Sequence, residues 1–255
     1  MPSMKGIILG IHPRAQLVDI SHELQRGDVR RASFLWSSVH SCFPSGTIHV
    51  GVVDPGVGTL RRLLAVLYKD HVYLGPDNGI MTHLLAEETF EEAYEIRPSK
   101  LSLTEISDTF HGRDILAPVA AKICKGTALS HVGTPAQSLR KLKLPQAKFR
   151  GKTEIEGAIE YIDHFGNAVS NIHTKTLLSL WPQEEWKNLS IQVARRKLHG
   201  ILASYSSVNT GTPLALIGSV SLLEIAVRDG HGAQKLSLKI GTPIRITHTP
   251  PWTKK

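Results

Sequence analysis

TIHVGVVDPGVGTLRRLLAVLYKDHVYLGPDNG, residues 47–79, decides the fold. TIHVGVVD is rich in β-branched residues and stops at Asp54, and LLAVLYKD and HVYLG read as the next two strands. Pro55, Gly56, Val57 and Gly58 turn the chain after the first strand, and PDNG at 76–79 turns it after the third. Apolar runs that feed Gly/Pro/Asn/Asp turns place polar side chains at strand ends. In α/β folds that edge is where ligands bind.

Upstream, residues 5–20 read as the apolar run GIILGI, a turn at Pro13 and a strand-like QLVDI. From Glu23 to Val39, the residues Leu24, Val29, Ala32, Phe34, Leu35 and Val39 recur near helical spacing, which predicts a helix. Downstream, Met81 to Ala86 starts a short helix. DILAPVAAKICKG at 114–126 predicts another, with an acid in its first turn, Pro118 near its start and Gly126 as its stop. Pro135, Pro145 and scattered basic residues make 134–152 a linker. Beyond it lie EIEGAIEYI, LSIQVA, PLALIG, LLEIAV, KLSLKI and TPIRITH, short strand-like runs with glycine turns that suggest a small barrel or sandwich. The expected organisation is an α/β N-terminal domain over 1–133, three-layered with a mostly parallel sheet. The linker follows, and then an all-β barrel domain over 153–255.

The 255 residues, 41% of them hydrophobic, suffice for two modest domains. Lys and Arg number 30 against 22 Asp and Glu, a net charge of +8 that raises the question of nucleic acid. The basic clusters (Arg30-Arg31, Arg61-Arg62, Arg195-Arg196-Lys197) are short and poor in flanking aromatics, so a solvated surface is expected and no nucleic acid partner. Cys42 and Cys124 share no motif and read as apolar fillers of a reduced, cytoplasmic protein. No run is long and apolar enough for a signal core or a membrane span.

Three polar runs carry the chemistry: VVDPGVGTLRR at 52–62, GPDNGI at 75–80 and DTFHGRD at 108–114. Asp54 closes an apolar strand, and Arg61 can fold back across the loop between them. DPGVG lacks the GK[ST] ending of a phosphate loop. His111 stands just before an acid-started helix. A metal site built from Asp54, Asp77, His111 and Asp114 is disfavoured, because none of these has zinc or EF-hand spacing and arginines flank the acids. No metal is expected.

VVDPGVGTLRR, PDNG and TFHGRDILAPVAA, followed by YIDHFGNAVSNI at 161–172 and LLEIAV at 222–227, together resemble the S-adenosylmethionine (SAM) hydroxide adenosyltransferases, hydrolytic relatives of fluorinase and chlorinase. The resemblance runs from about Met4 to Thr247. It implies hydrolysis of SAM to adenosine and methionine by attack of water on C5′, with no cofactor beyond the substrate. It also implies a homotrimer whose active sites lie where one subunit's N-terminal domain meets its neighbour's C-terminal domain. The family's acid, arginine and histidine map onto Asp54, Arg61 and His111. Halogenating members lack this acid and arginine and use small hydroxyl-bearing groups, so Asp54 with Arg61 argues for water. In the second domain the resemblance assigns Asn167 to the adenine edge, Phe165 to stacking near the base, Asp163 to the methionine amine and Ser219 to its carboxylate.

Water has a pKa of about 15.7 and a free Asp about 3.9. The gap, about 16 kcal/mol, is too large for Asp54 to hold a ready-made hydroxide. Asp54 is therefore expected to position water and take its proton late, with Arg61 and His111 holding the acid. One departure stands out. Family members usually begin with a strand ending in T-D-F-G, whose Asp grips the ribose, whereas this chain begins MPSMKG and is expected to lack that strand. A non-catalytic SAM- or adenosine-binding protein is thus the alternative reading, with a SAM-dependent halogenase behind it.

Overall fold

The computed structural model describes residues 2–86, 89–103 and 105–248. They form two compact units, Met1–Leu142 and Lys143–Lys255.

The first unit is built on a sheet of β1 (Ile48–Val50), β2 (Leu63–Tyr68), β3 (His71–Pro76), β4 (Glu92–Ile96) and β5 (Gly133–Pro135) in the order β1-β3-β2-β4-β5. Only the β1–β3 pair is parallel. The β2–β3, β2–β4 and β4–β5 pairs are antiparallel, so the expectation of a mostly parallel sheet is corrected to a mixed one. The physical reason sits between β2 and β3. Lys69 and Asp70 both take positive φ, 49° and 59°, and make a two-residue hairpin, which can join only antiparallel neighbours.

Both faces of this sheet are covered, which is why LLAVLY is apolar without alternation. Leu64, Val66 and Tyr73 pack under Ala32 and Trp36 of the helix Val29–Val39, while Ala65, Val72 and Leu74 meet Leu116, Val119 and Ala120 on the opposite side. Two helices flank α2 in sequence, α1 (Pro2–Ile11) before it and α3 (Ala117–Cys124) after; α2 itself spans Val29–Val39. It starts later than the sequence pattern suggests, because the Asp28 carboxylate accepts the Arg31 N–H at 2.9 Å and caps it. GIILGI lies within α1, where Met4 and Ile8, one turn apart, bury against Ala117 and Ala121. QLVDI forms no strand, and Met81 to Ala86 is a turn with Met81, Leu84 and Leu85 buried rather than a helix. Short apolar runs do not distinguish these states by periodicity. A π-helical turn, Gly112–Leu116, precedes α3, and Pro118 occupies the first turn of α3.

β1 is an edge strand, and a cleft of about 800 Å³ lined by Ile8, Leu17, Ile20, Trp36, Ile48 and Val50 follows it. Cys42 and Cys124 are both exposed free thiols, not apolar fillers. Within 134–152, Arg140 N–H donates to Asp77 Oδ1 at 2.7 Å and Leu142 N–H to Thr82 Oγ1 at 2.8 Å, pinning this part of the segment to the first unit.

The second unit is an eight-stranded antiparallel sheet. Its strands are β6 (Lys148–Arg150), β7 (Glu154–Ile162), β8 (Ala168–His173), β9 (Leu189–Val193), β10 (Arg196–His199), β11 (Pro213–Ile217), β12 (Leu222–Val227) and β13 (Pro243–His248). Their order is β10-β9-β13-β7-β8-β12-β11, with β6 paired to β7. The end strands β10 and β11 come into contact, so the sheet is nearly closed and barrel-like. Alternate residues such as Ile155 and Ile159, Ile191 and Val193, Leu223 and Ile225, and Ile244 and Ile246 fill its interior. KLSLKI is not a strand. Its first residue ends a helical turn, Gly232–Lys235, and Leu236 and Leu238 pack into the same core from a loop.

Candidate active site

The site in the first unit is built at the end of β1. Asn78 of the PDNG turn donates from Nδ2 to the Val53 carbonyl at 2.8 Å, and its Oδ1 accepts the Ile80 N–H at 3.2 Å. That turn therefore holds the residue immediately before Asp54. The Asp54 carboxylate accepts the Gly56 N–H at 3.2 Å, and Thr59 Oγ1 donates to the Gly56 carbonyl at 2.7 Å, folding the DPGVG loop on itself. Gly58 has φ +79°, and a Cβ there would stand 2.8 Å from the Asp108 carbonyl oxygen. Only glycine allows the loop to lie this close to the chain leading into His111. A Cβ on Gly112 would stand 2.9 Å from Val52 Cγ1, so the backbone just after His111 packs on the residues leading to Asp54.

Arg61 joins the two segments. Its Nε donates to Asp54 Oδ1 at 2.9 Å and Oδ2 at 2.7 Å, and its Nη2 donates to Oδ2 as well. The same Nη2 lies 2.8 Å from Nδ1 of His111. The Arg61 and Asp54 side chains are 9% and 8% exposed, so the ion pair is largely desolvated. A guanidinium only donates. His111 Nδ1 must therefore accept, and the neutral ring carries its proton on Nε2. Burial first, and then the Arg61 charge, push the His111 pKa below its ordinary value, against the opposing pull of Asp54, Asp108 and Asp114.

The other polar residues of these runs serve different ends. Asp77 is ion-paired with Arg62 through Oδ2, at 2.9 Å from Nε and 2.5 Å from Nη2. Asp114 receives Arg113 at 2.5 and 3.0 Å and the Ser107 N–H at 2.9 Å; the Arg113 hydrogen bond holds its carboxyl well below the usual range. Each of these acids has its own arginine, and among the described residues of these runs Asp54, Arg61 and His111 make a continuous group.

In the second unit the DHFGN turn brings Asp163 and Asn167 together. The Asn167 N–H and Nδ2 donate to Asp163 Oδ1 and Oδ2 at 2.8 and 3.0 Å. Gly166 has φ +86° with the His231 ring over it, and a Cβ would fall 2.2 Å from Nδ1. Phe165 stands 74% exposed, edge-on to the His164 ring with centroids 5.9 Å apart. Ser219 is exposed in the β11–β12 turn. Two residues here went unnoticed in the sequence, Tyr205 and Glu224. Tyr205 Oη donates to Glu224 Oε1 at 2.5 Å and lies 3.4 Å from Asn167 Nδ2. A lone acid inside the apolar strand LLEIAV was the available signal.

Comparison with known proteins identifies the family. Residues 1–133 match the model of the SAM hydroxide adenosyltransferase N-terminal domain, and residues 157–245 that of its C-terminal domain. The (R)-S-adenosyl-L-methionine hydrolase of Thermus thermophilus is 32% identical, over 95% of this chain and 92% of its own. That of Salinispora arenicola is 31% identical, over 95% and 90%. A fluorinase from an Actinoplanes species is 26% identical, over 95% and 91%. Among solved structures, an uncharacterized conserved protein from Thermotoga maritima superposes with a TM-score of 0.89 at 34% identity, covering 97% of this chain and 94% of that one.

Proposed function

The chain belongs to the SAM hydroxide adenosyltransferase family, and on that premise we propose that it hydrolyses S-adenosyl-L-methionine to adenosine and L-methionine. The observation that carries this reading is the Asp54–Arg61–His111 group, a desolvated acid held by an arginine that also orients a neutral histidine.

In the proposed reaction a water oxygen bonds to C5′ as the C5′–S bond breaks, and that electron pair stays on sulfur to give the neutral thioether of methionine. The water's proton passes to Asp54 late in the step and then to solvent. Arg61 keeps the Asp54 carboxylate in place to take the proton, and His111 adds a donor at Nε2 that helps to orient the water. The sulfonium's positive charge passes to the attacking oxygen and is cancelled when its proton reaches the Asp54 carboxylate, so a desolvated setting favours the reaction.

The reading includes a cytoplasmic homotrimer that needs no cofactor. Light scattering measures the first property, and turnover after dialysis against a chelator measures the second. The direct test is chromatography of SAM incubated with the purified protein, with and without chloride. Equal amounts of adenosine and methionine, indifferent to chloride, are expected. A halogenated nucleoside that rises with chloride, or tight binding with no turnover, would overturn the reading.

A further inference from the structure

One side of β1 has backbone groups without partners. The Thr47 carbonyl accepts the Val72 N–H at 3.0 Å, and the Gly51 N–H donates to the Leu74 carbonyl at 2.9 Å. Alternate residues of this strand therefore face β3, and the N–H and carbonyl groups of Ile48 and Val50 point the other way, where β1 ends the sheet. The cleft of about 800 Å³ on that side is lined as well by residues 16–20, the strand-like QLVDI. Among the described residues, no backbone group of 16–20 is hydrogen-bonded. Val18 and Ile20 stand 69% and 38% exposed there. Two unpaired stretches of chain thus border one cleft, each with apolar side chains and open backbone groups.

The two faces of the cleft are apolar too. Ile8 of α1 and Ile123 of α3 line it, as do Leu35 and Trp36 of α2, and α2 and α3 lie on opposite faces of the sheet. This is the lining of an interior strand: apolar above and below, backbone at the edges. A small apolar ligand would leave Ile48 and Val50 unpaired, whereas an extended chain satisfies them. The direction follows from Met4. A Cβ on Gly112 would stand 2.9 Å from Val52 Cγ1 and 3.2 Å from Met4 Sδ, so α1 begins beside the end of β1 that leads to Asp54. A strand parallel to β1 finishes at that point. Followed by α1 and then by residues 16–20, it makes a βαβ unit.

We propose that this cleft is a strand-acceptor groove. It takes an extended, uncharged, β-branched segment of polypeptide running into α1, paired in parallel with Ile48 and Val50, and the added strand holds the end of β1 that carries Asp54. A segment of about five or six residues, the common strand length, suits it. Apolar side chains are needed on both of its faces, because helices cover both. The effect on activity rests on the assignment of Asp54 to the hydrolysis, and the filling of the groove does not.

The test compares the full chain with two fusions that place Thr-Ile-Val-Val-Leu-Thr or Thr-Pro-Val-Pro-Leu-Thr ahead of Met1, each through a Gly/Ser turn of about three residues. The prolines keep an apolar segment but remove ladder donors. Cys124 lines the cleft and is exposed, while Cys42 is exposed and does not line it, so Cys42 is the internal reference for thiol labelling. With the first fusion, labelling of Cys124 and amide exchange at 16–20 and 48–50 are expected to slow about tenfold or more, with Cys42 unchanged. The proline fusion is expected to behave as the chain itself. If the chain alone shows no cooperative melt, a cooperative melt for the first fusion and not the second supports the groove equally. Protection that is the same in all three proteins, or equal in both fusions, overturns the proposal. So does the free Thr-Ile-Val-Val-Leu-Thr peptide protecting as well as the fused one at equimolar concentration. For SAM hydrolysis, kcat of the first fusion should exceed that of the second about tenfold or more. Equal kcat in active, protected protein overturns the link to Asp54. A protected fusion that does not turn over SAM removes the hydrolase reading and leaves the groove standing.

Discussion

Arg61 and His111, fifty residues apart in the chain, meet at 2.8 Å through Nη2 and Nδ1. Because the guanidinium can only donate, protonation of Nδ1 would break this contact and set two cations together. The neutral ring is therefore the competent form. Its pKa lies below the ordinary 6.5, so activity is expected to hold level from neutral pH down past 6.5 and to fall only in more acid solution. A pH–kcat profile measures this, and a fall that begins above pH 7 would contradict it.

Arg61→Lys keeps the charge but not the fork. A lysine cannot bond both Asp54 oxygens and His111 together. We expect kcat to drop about 100-fold with KM changed little, the size of loss seen when one oriented donor is removed. A lysine variant within threefold of wild type would show that the fork is dispensable.

Asp54→Asn and Asp54→Ala should separate chemistry from stability. Asn keeps the shape and removes the proton acceptor, so a rate loss of about 100-fold or more is expected with a near-native melting temperature. Ala also leaves Arg61, 9% exposed, without its partner, and should cost about 3 kcal/mol of stability as well. Steady-state kinetics and denaturant titration of the pair read the two effects independently.

Gly58→Ala is predicted to harm the site through the backbone. The added Cβ meets the Asp108 carbonyl at 2.8 Å at a φ of +79°, which costs about 1–3 kcal/mol and pushes the DPGVG loop away from the segment leading into His111. Activity should fall further than the modest loss in thermal stability suggests. A fully active Gly58→Ala protein would mean the loop can shift without consequence.

The stability of the first unit should depend on pH through His49. This ring is 3% exposed, stacks on Tyr73 with centroids 4.8 Å apart, and lies 3.1 Å from His71 Nδ1. Burial, then the neighbouring His71 and His40, lower its pKa from 6.5 to about 4. Between those values the unfolded chain binds the proton and the folded one does not. Stability is thus complete above about pH 6.5 and is lost as the pH falls toward 4, by up to about 1.4 kcal/mol per unit. Denaturant melts from pH 7 to 4 measure the slope, and His49→Phe should flatten it.

Much of the site was legible because its residues sit in runs that a core does not require. Glycine-rich polar turns on apolar strands singled out Asp77 and Asp114 as well as Asp54, Arg61 and His111; the family resemblance chose the last three among them and drew attention to the DHFGN turn. The sheet was less legible. Lys69-Asp70 lacks the Asn-Gly or Asp-Gly signature of a tight hairpin, so β2 and β3 were assigned to a mostly parallel sheet and their antiparallel pairing was missed. QLVDI and KLSLKI were misjudged because five or six apolar-rich residues fit a helix, a strand or a packed loop equally well until their neighbours are known.

The sequence by itself determined that two units exist and that apolar strands carry polar turns, since these follow from local composition and short-range spacing; the choice of Asp54, Arg61 and His111 among the polar residues of those turns came from the family resemblance. Only the tertiary structure decided the mixed pairing of the sheet, the tautomer of His111 and the Glu224–Tyr205–Asn167–Asp163 connection. Each of these depends on which atoms meet across long stretches of chain. A hydrogen bond is defined by a distance of about 3 Å and the direction of one proton, and no residue pattern specifies either until the backbone has folded.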